Sequence, residues 1–270
     1  MTITTRLETI DPERAKTLIA NNYQHNRRVS ETHVNYLVHQ INSGLWKFNG
    51  ESVVISKQGK LIDGQHRMHA VIKSGKPIQT MVVLGVDESS FDTMGQAKSR
   101  SVSDVIDVAN ATDVATVLRL IYNETHFGTV FRGSVDGKQL TPSYANEFLQ
   151  KHLGIIESAS FSSGRASKVR QFVPRSVLTY VHYRAGLIDV KSRDDFVDKF
   201  LTGAGLNIKS PILALRNALT PVDAKSRIPK YRIFTYVIKA FNLHYDGKSC
   251  SRIVIRDGEE FPRWAKQLPK

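Results

Sequence analysis

Cysteine is nearly absent from this chain: Cys250 is the single one among 270 residues. That excludes an intrachain disulfide and a cysteine-based zinc site, and sets a reducing, cytoplasmic location as the expectation. No apolar run approaches the roughly 18 residues a membrane-spanning helix needs, so no membrane partner is expected. The opening residues carry no hydrophobic segment of the signal-peptide kind. The nine histidines are scattered. His66 and His69 stand three apart and can share a helix face, a spacing more common in solvent-facing pairs than in metal sites. There is no internal repeat and no low-complexity tract. Acidic residues are also short: 25 Asp and Glu stand against 38 Lys and Arg, for a net charge of +13.

The basic excess is uneven. Residues 1–105 hold 13 Lys and Arg against 10 Asp and Glu, and the remainder holds 25 against 15. From Ser158 to Ile188 there is no acid, while Arg165, Lys168, Arg170, Arg175 and Arg184 are present. Such a run points to a polyanionic partner, nucleic acid (DNA) first, because basic side chains neutralise phosphates. Phe161, Phe172, Tyr180 and Tyr183 are interleaved with it. Aromatic faces can stack on bases, but their spacing here suits helix packing better.

The pattern divides the chain into residues 1–105 and 106–270. In the first part, Asp11-Pro12 predicts a helix start, Ser30 caps a second helix through Ile41, and Ser43-Gly44 ends it. Strands are expected at 52–56 and 60–63, a helix at 65–74, and a strand at 80–86 apolar enough to be buried on both faces. The second part reads as mainly helical, near 114–123, 141–149, 174–186, 192–202, 211–219 and 229–245. Ser162-Ser163-Gly164 reads as a mobile loop, and residues 251–256 as a short strand. The expected class is α+β: a small mixed-sheet N-terminal domain followed by a basic, mainly helical one.

The most informative stretch is Asp63-Gly64-Gln65-His66-Arg67, placed between a short strand and a helix start. Glycine lets backbone amides approach an anion, and a helix N-terminus favours negative charge. Arg67 can neutralise a phosphate in bidentate geometry. His66 can donate to a phosphate oxygen or act as acid or base. Gln65 can orient phosphate or water. Asp63 is a candidate Mg²⁺ ligand or, alternatively, the helix cap. Arg27 and Arg28 are candidates to fold over the pocket or to bind DNA backbone, and Lys98 and Arg100 to close it from the other side. The alternative to a phosphate cradle is a tight turn with solvated side chains.

This motif resembles the DGQHR branch of the ParB/sulfiredoxin-like superfamily, common in phage and plasmid genomes and often labelled "ParB-like nuclease". The flanks resemble it too: Asn26-Arg27-Arg28-Val29-Ser30 its lead into a helix, Gly44-Leu45-Trp46-Lys47-Phe48-Asn49-Gly50 the turn before its next strand, and Lys98 to Asp104 its closing segment. Lys239-Ala240-Phe241-Asn242 and Gly258-Glu259-Glu260-Phe261-Pro262 resemble the terminal signature of long phage members. The resemblance implies a bound nucleoside triphosphate, CTP or ATP, with Mg²⁺, a bacterial host cell, and a homodimer as one possible state. Gln65 stands where sulfiredoxins carry their reactive cysteine, so that activity is not expected. Gly95 stands where related phage members carry an aspartate, which weighs against metal-assisted hydrolysis and leaves Glu51 and Asp92 as spare carboxylates. The expected function is a nucleotide-responsive, DNA-associated protein. Its alternatives are a nuclease, NTPase or phosphoryl-transfer enzyme with His66, Arg67 and Asp63 as catalytic groups, and a phage factor that binds a host protein through a vestigial pocket.

Overall fold

A computed structural model describes residues 2–94, 100–131, 139–169, 172–220 and 228–266. The chain packs as two compact units, the second beginning at Arg100. Among the described residues no helix is long and apolar enough to cross a membrane.

The first unit is a mixed four-stranded sheet with helices packed on one face. Its elements are β1 (Thr4–Ile10), α1 (Pro12–Ala20), α2 (Glu31–Asn42), β2 (Ser52–Ser56), β3 (Leu61–Asp63), α3 (Gln65–Ser74) and β4 (Ile78–Val86). The strand order is β1-β4-β2-β3. β1 runs antiparallel to β4, β4 parallel to β2, and β2 antiparallel to β3. Helix starts follow local chemistry. The Asp11 carboxylate accepts from Arg14 N at 2.7 Å ahead of Pro12, and Ser30 Oγ accepts from His33 N at 3.3 Å. Val53, Ile55 and Val82 of the sheet pack with Leu18 of α1, Leu37 of α2 and Met68 of α3 in one core. That core fixes α3 against the sheet and so fixes the turn that precedes it.

One expectation for this unit needs correction, and one strand was not expected. β4 is not buried on both faces: Gln79 is exposed and Met81 and Val83 are half-buried, while Ile78, Thr80 and Val82 are buried. An antiparallel neighbour on one side and helices on one face produce this alternation. β1 carries no strong sequence signal because Ile10 is its only buried residue.

The second unit is helical. It comprises α4 (Val102–Val105), α5 (Ala111–Phe127), α6 (Pro142–Gln150), α7 (Gly154–Ser163), α8 (Ala166–Val169), α9 (Arg175–Ile188), α10 (Val190–Thr202), α11 (Pro211–Leu219) and α12 (Lys230–Tyr245). Residues 100–105, assigned by sequence to the first part, belong here: Val102 of α4 is buried in the helical core. Ser162-Ser163 is the end of α7 rather than a loop. Ser158 and Ser162 return their hydroxyls to the carbonyls of Gly154 and Ser158, four residues back, which lets small polar residues pack inside a helix. The expected strand at 251–256 is absent. That segment is held as an extended strap on α12, where Lys239 Nζ donates to Val254 O at 2.7 Å and pairs with Glu259. Asn242 bonds Arg263 O and Ala265 N at 2.8 and 2.9 Å. Lys239, Asn242 and Glu259 thus have a packing role.

α9 is the central helix, buried on nearly every side. Its polar side chains find partners outside the helix: Tyr180 Oη donates to Glu124 at 2.9 Å, His182 Nδ1 lies 2.9 Å from Ser158 Oγ, and Tyr183 Oη lies 3.0 Å from His152 Nδ1 in the turn between α6 and α7. Burial, reinforced by nearby cations, pushes both His152 and His182 down to about 4. The folded unit therefore holds them neutral where an unfolded chain takes a proton near pH 6.5. Their contribution to stability is complete above that pH and is lost as pH falls toward 4. Each costs on the order of 2 kcal/mol by pH 5. Urea midpoints measured from pH 7.5 to 5 will fall steeply, and His152→Gln and His182→Asn will each flatten the dependence.

Candidate phosphate-binding site

The site begins where β3 ends. Gly64 takes a left-handed conformation with φ +104°, and a Cβ there would sit 3.0 Å from Val53 Cγ2. Only glycine meets both demands. It turns the chain straight into α3, whose first backbone bond runs from Met68 N to Gly64 O at 3.0 Å. The amides of residues 65–67 therefore have no intrahelical acceptor. Gly64 supplies no side-chain cap, and the first turn of α3 contains no acid. This is the positive end of a helix without the usual neutralising groups.

The three motif side chains are buried and tied to distant parts of the unit. Gln65 Nε2 donates to Arg27 O at 2.7 Å, and Gln65 Oε1 accepts from Asn22 Nδ2 at 3.2 Å. His66 Nε2 accepts from Ser30 N at 3.0 Å, which assigns its proton to Nδ1. Arg67 is 9% exposed. Its Nη2 donates to Ser52 O at 2.7 Å and to Asp63 Oδ2 at 3.3 Å, and its buried Nη1 has no partner. Loop 21–30 is further stitched to β3. Tyr23 N donates to Leu61 O, Leu61 N to Asn21 O, and Asn26 Nδ2 to both Asn22 Oδ1 and Leu61 O.

The electrostatics follow from this packing. Burial first, then His33, Arg27 and His69, holds the His66 imidazole below its usual range against the opposing pull of Asp63. Burial and Arg27 do the same to His33, opposed by Glu51. The His33 and His66 rings meet edge to face, 5.2 Å between centroids. Both are kept toward neutral, which preserves the lone pair that caps Ser30 N. Arg27 and Arg28 are exposed on the pinned loop.

The expected residues fare differently. Asp63, Gly64, Gln65, His66, Arg67 and the Arg27 backbone come together. Asp63 does not cap α3, because Gly64 occupies that position; its half-exposed carboxylate pairs with Arg67 instead. Lys98 lies outside the described residues, and Arg100 belongs to the second unit. Of the proposed nucleic-acid contacts, Arg184 is a correction. It is buried in α9, its Nη2 2.9 Å from Glu124, and cannot meet an external polyanion. Arg175 is committed to the buried Asp113 at 2.5 Å. Arg165 is exposed, its guanidinium 3.7 Å from the Phe161 ring centroid, and Lys168 is exposed. Arg170 lies outside the described residues. Tyr180 and Tyr183 are core, and Phe161 stacks on His182, as helix packing requires.

Sequence reasoning does not single out Asn22, His33 or the Ser52 carbonyl. The asparagine-rich run Asn21-Asn22-Tyr23-Gln24-His25-Asn26 was the available signal, since side-chain amides that bond backbone favour irregular loops. No family model, curated protein or solved structure matches the chain.

Truncating Gln65 strands the Arg27 carbonyl and the Asn22 amide. Gln65→Ala should lower unfolding free energy by about 1–3 kcal/mol. It should also accelerate hydrogen exchange at residues 21–30, while exchange in α12 stays unchanged; uniform acceleration in both would contradict the local clasp.

Proposed function

We propose that the N-terminus of α3 binds the phosphates of a nucleotide, and that the protein is a nucleotide-responsive, DNA-associated factor. The observation that carries this reading is the pairing of two unmet demands. The acid-free helix start offers three amides without intrahelical acceptors, and Arg67 beside it keeps a buried Nη1 without a partner. An unpaired donor on a buried cation is costly, and an anion at this helix end answers the free amides and sets negative charge close to the Arg67 guanidinium. Arg27 and Arg28 stand exposed on the loop held there by Gln65, where they add positive charge without needing to be built into the core.

The ligand class comes from the resemblance to ParB/sulfiredoxin-like proteins: a nucleoside triphosphate, CTP or ATP, with Mg²⁺. The resemblance supports the DNA association together with the charge of the second unit, for which Arg165 and Lys168 remain the candidate contacts. Binding is favoured over catalysis by one contact. The His66 lone pair that a general base would use is spent on Ser30 N–H.

Thermal unfolding of the full chain with ATP, CTP, GTP or UTP, with and without Mg²⁺, tests the proposal. A ligand that binds only the folded state at about 100 times its Kd stabilises by about 2.7 kcal/mol. One nucleotide should raise the melting temperature, and Arg27→Ala or Arg28→Ala should raise its Kd about fivefold to tenfold, as loss of one exposed phosphate contact does. Both are surface changes that leave the fold intact. No shift with any nucleotide, or a shift that both variants leave untouched, overturns the reading.

A further inference from the structure

β1 is an edge of the sheet, paired on one side only among the described residues. It pairs with β4 over all seven residues with no shift of register. Its other side has no strand beside it among the described residues, and Thr4 to Leu7 and Thr9 are exposed. Proteins that keep such an edge unpaired shorten it, bulge it, or place proline or lysine on it, because a row of free backbone groups recruits another strand. β1 is not shortened or bulged and has no proline or lysine, and its two charges, Arg6 and Glu8, are of opposite sign and pair with each other. Four of its seven residues, Thr4, Thr5, Thr9 and Ile10, are β-branched, which favours extended backbone.

The sequence Thr4-Thr5-Arg6-Leu7-Glu8-Thr9-Ile10 is also complementary to itself when reversed. Antiparallel pairing sets residues of matching backbone direction opposite each other, both toward the partner or both away from it, so a two-fold axis passes through a residue position. An axis at Arg6 sets Arg6 against the partner's Arg6. An axis at Glu8 sets Glu8 against the partner's Glu8. Like charges directly opposite are destabilising. An axis at Leu7 sets Arg6 against the partner's Glu8 and Glu8 against the partner's Arg6, with Thr5 facing the partner's Thr9 and Leu7 facing the partner's Leu7. Of these three registers only the last satisfies every charge.

Local geometry fits that register. Arg6 already leans along the strand to its own Glu8 at 2.9 Å, and the second oxygen of Glu8 is held by Arg14 at 2.8 Å. With its side chain 56% exposed, Arg6 has room to bridge its own glutamate and the partner's Glu8. On the opposite sheet face, Leu7 is 52% exposed and Ile3 is 59% exposed. Leu7 is paired with Met81 and Thr5 with Val83 on β4, and both β4 residues are half-buried. Two copies joined at Leu7 continue this apolar stripe across the seam and take Leu7 out of water.

We propose that β1 is a homodimerisation edge, through which two copies of the chain pair antiparallel with Leu7 opposite the partner's Leu7, forming one continuous eight-stranded sheet. Directly opposed residues in such a pair have Cα atoms about 4.5–5.5 Å apart, within the range a disulfide spans.

Sedimentation equilibrium of the full chain, together with register-specific cross-linking, tests this. The chain should sediment as a dimer, and Arg6→Glu, which sets glutamate against glutamate on both sides of the axis, should weaken association by about tenfold. In a Cys250→Ser background, Leu7→Cys should form a covalent dimer on mild oxidation. Thr9→Cys should not, since its opposite residue is the partner's Thr5. A chain that stays monomeric to about 100 μM overturns the proposal. So does a dimer unaffected by Arg6→Glu, or equal cross-linking at positions 7 and 9. The cross-link readout stands even if Arg6→Glu perturbs the Glu8–Arg14 pair.

Discussion

The first unit depends on one side chain reaching across the fold. Gln65 sits one residue past the turn at Gly64 and spends both ends of its amide on loop 21–30, through the Arg27 carbonyl and Asn22. His66, next to it, caps α2 through Ser30 N. Two successive residues at the start of one helix thus fix a loop and the start of another helix. A neutral hydrogen bond contributes only about 1 kcal/mol net, yet leaving a buried partner unmet costs about 1–3 kcal/mol. The clasp therefore specifies geometry more than it adds stability. Its effect is to hold two exposed arginines beside a helix end that carries no acid of its own.

Positive charge is used in two ways. In the first unit Arg67 is anchored by Ser52 O and Asp63 but left with a donor to spare. In the second unit two members of the conspicuous basic run, Arg184 and Arg175, are spent on carboxylates within the fold. Arg184 and Tyr180 of α9 share the Glu124 carboxylate, and Arg175 closes on Asp113. A buried ion pair gains less than its Coulomb energy suggests, but removing one partner leaves a charge stranded, at about 3–5 kcal/mol. These arginines are committed to the fold. A linear stretch without acids is thus a poor measure of surface charge in a helical bundle, where the neutralising carboxylates come from other helices.

What was legible in the sequence is what is decided locally. Asp11-Pro12, Ser30 and Ser43-Gly44 mark helix ends because caps bond within three or four residues, and α3 runs over the expected 65–74. Gly64 was legible as a turn because only its chemistry allows the conformation. The roles of Gln65 and His66 were not, since their partners lie 38 and 36 positions away. α7 was hidden because its serines satisfy themselves inside the helix, a solution that leaves a loop-like composition. β1 was hidden because an edge strand is defined by its pairing rather than by burial. Residues 251–256 alternate like a strand, yet the Val254 carbonyl is bound by the Lys239 side chain of α12 rather than by another strand.

The most direct test of the anion site is an amide-resolved NMR titration of the full chain with inorganic phosphate and then with CTP and ATP. The amides of Gln65, His66 and Arg67 should show the largest shift changes, with the Arg67 guanidinium following at the same ligand concentrations. Shift changes confined to the second unit, or none at the α3 start as ligand saturates, would contradict the account.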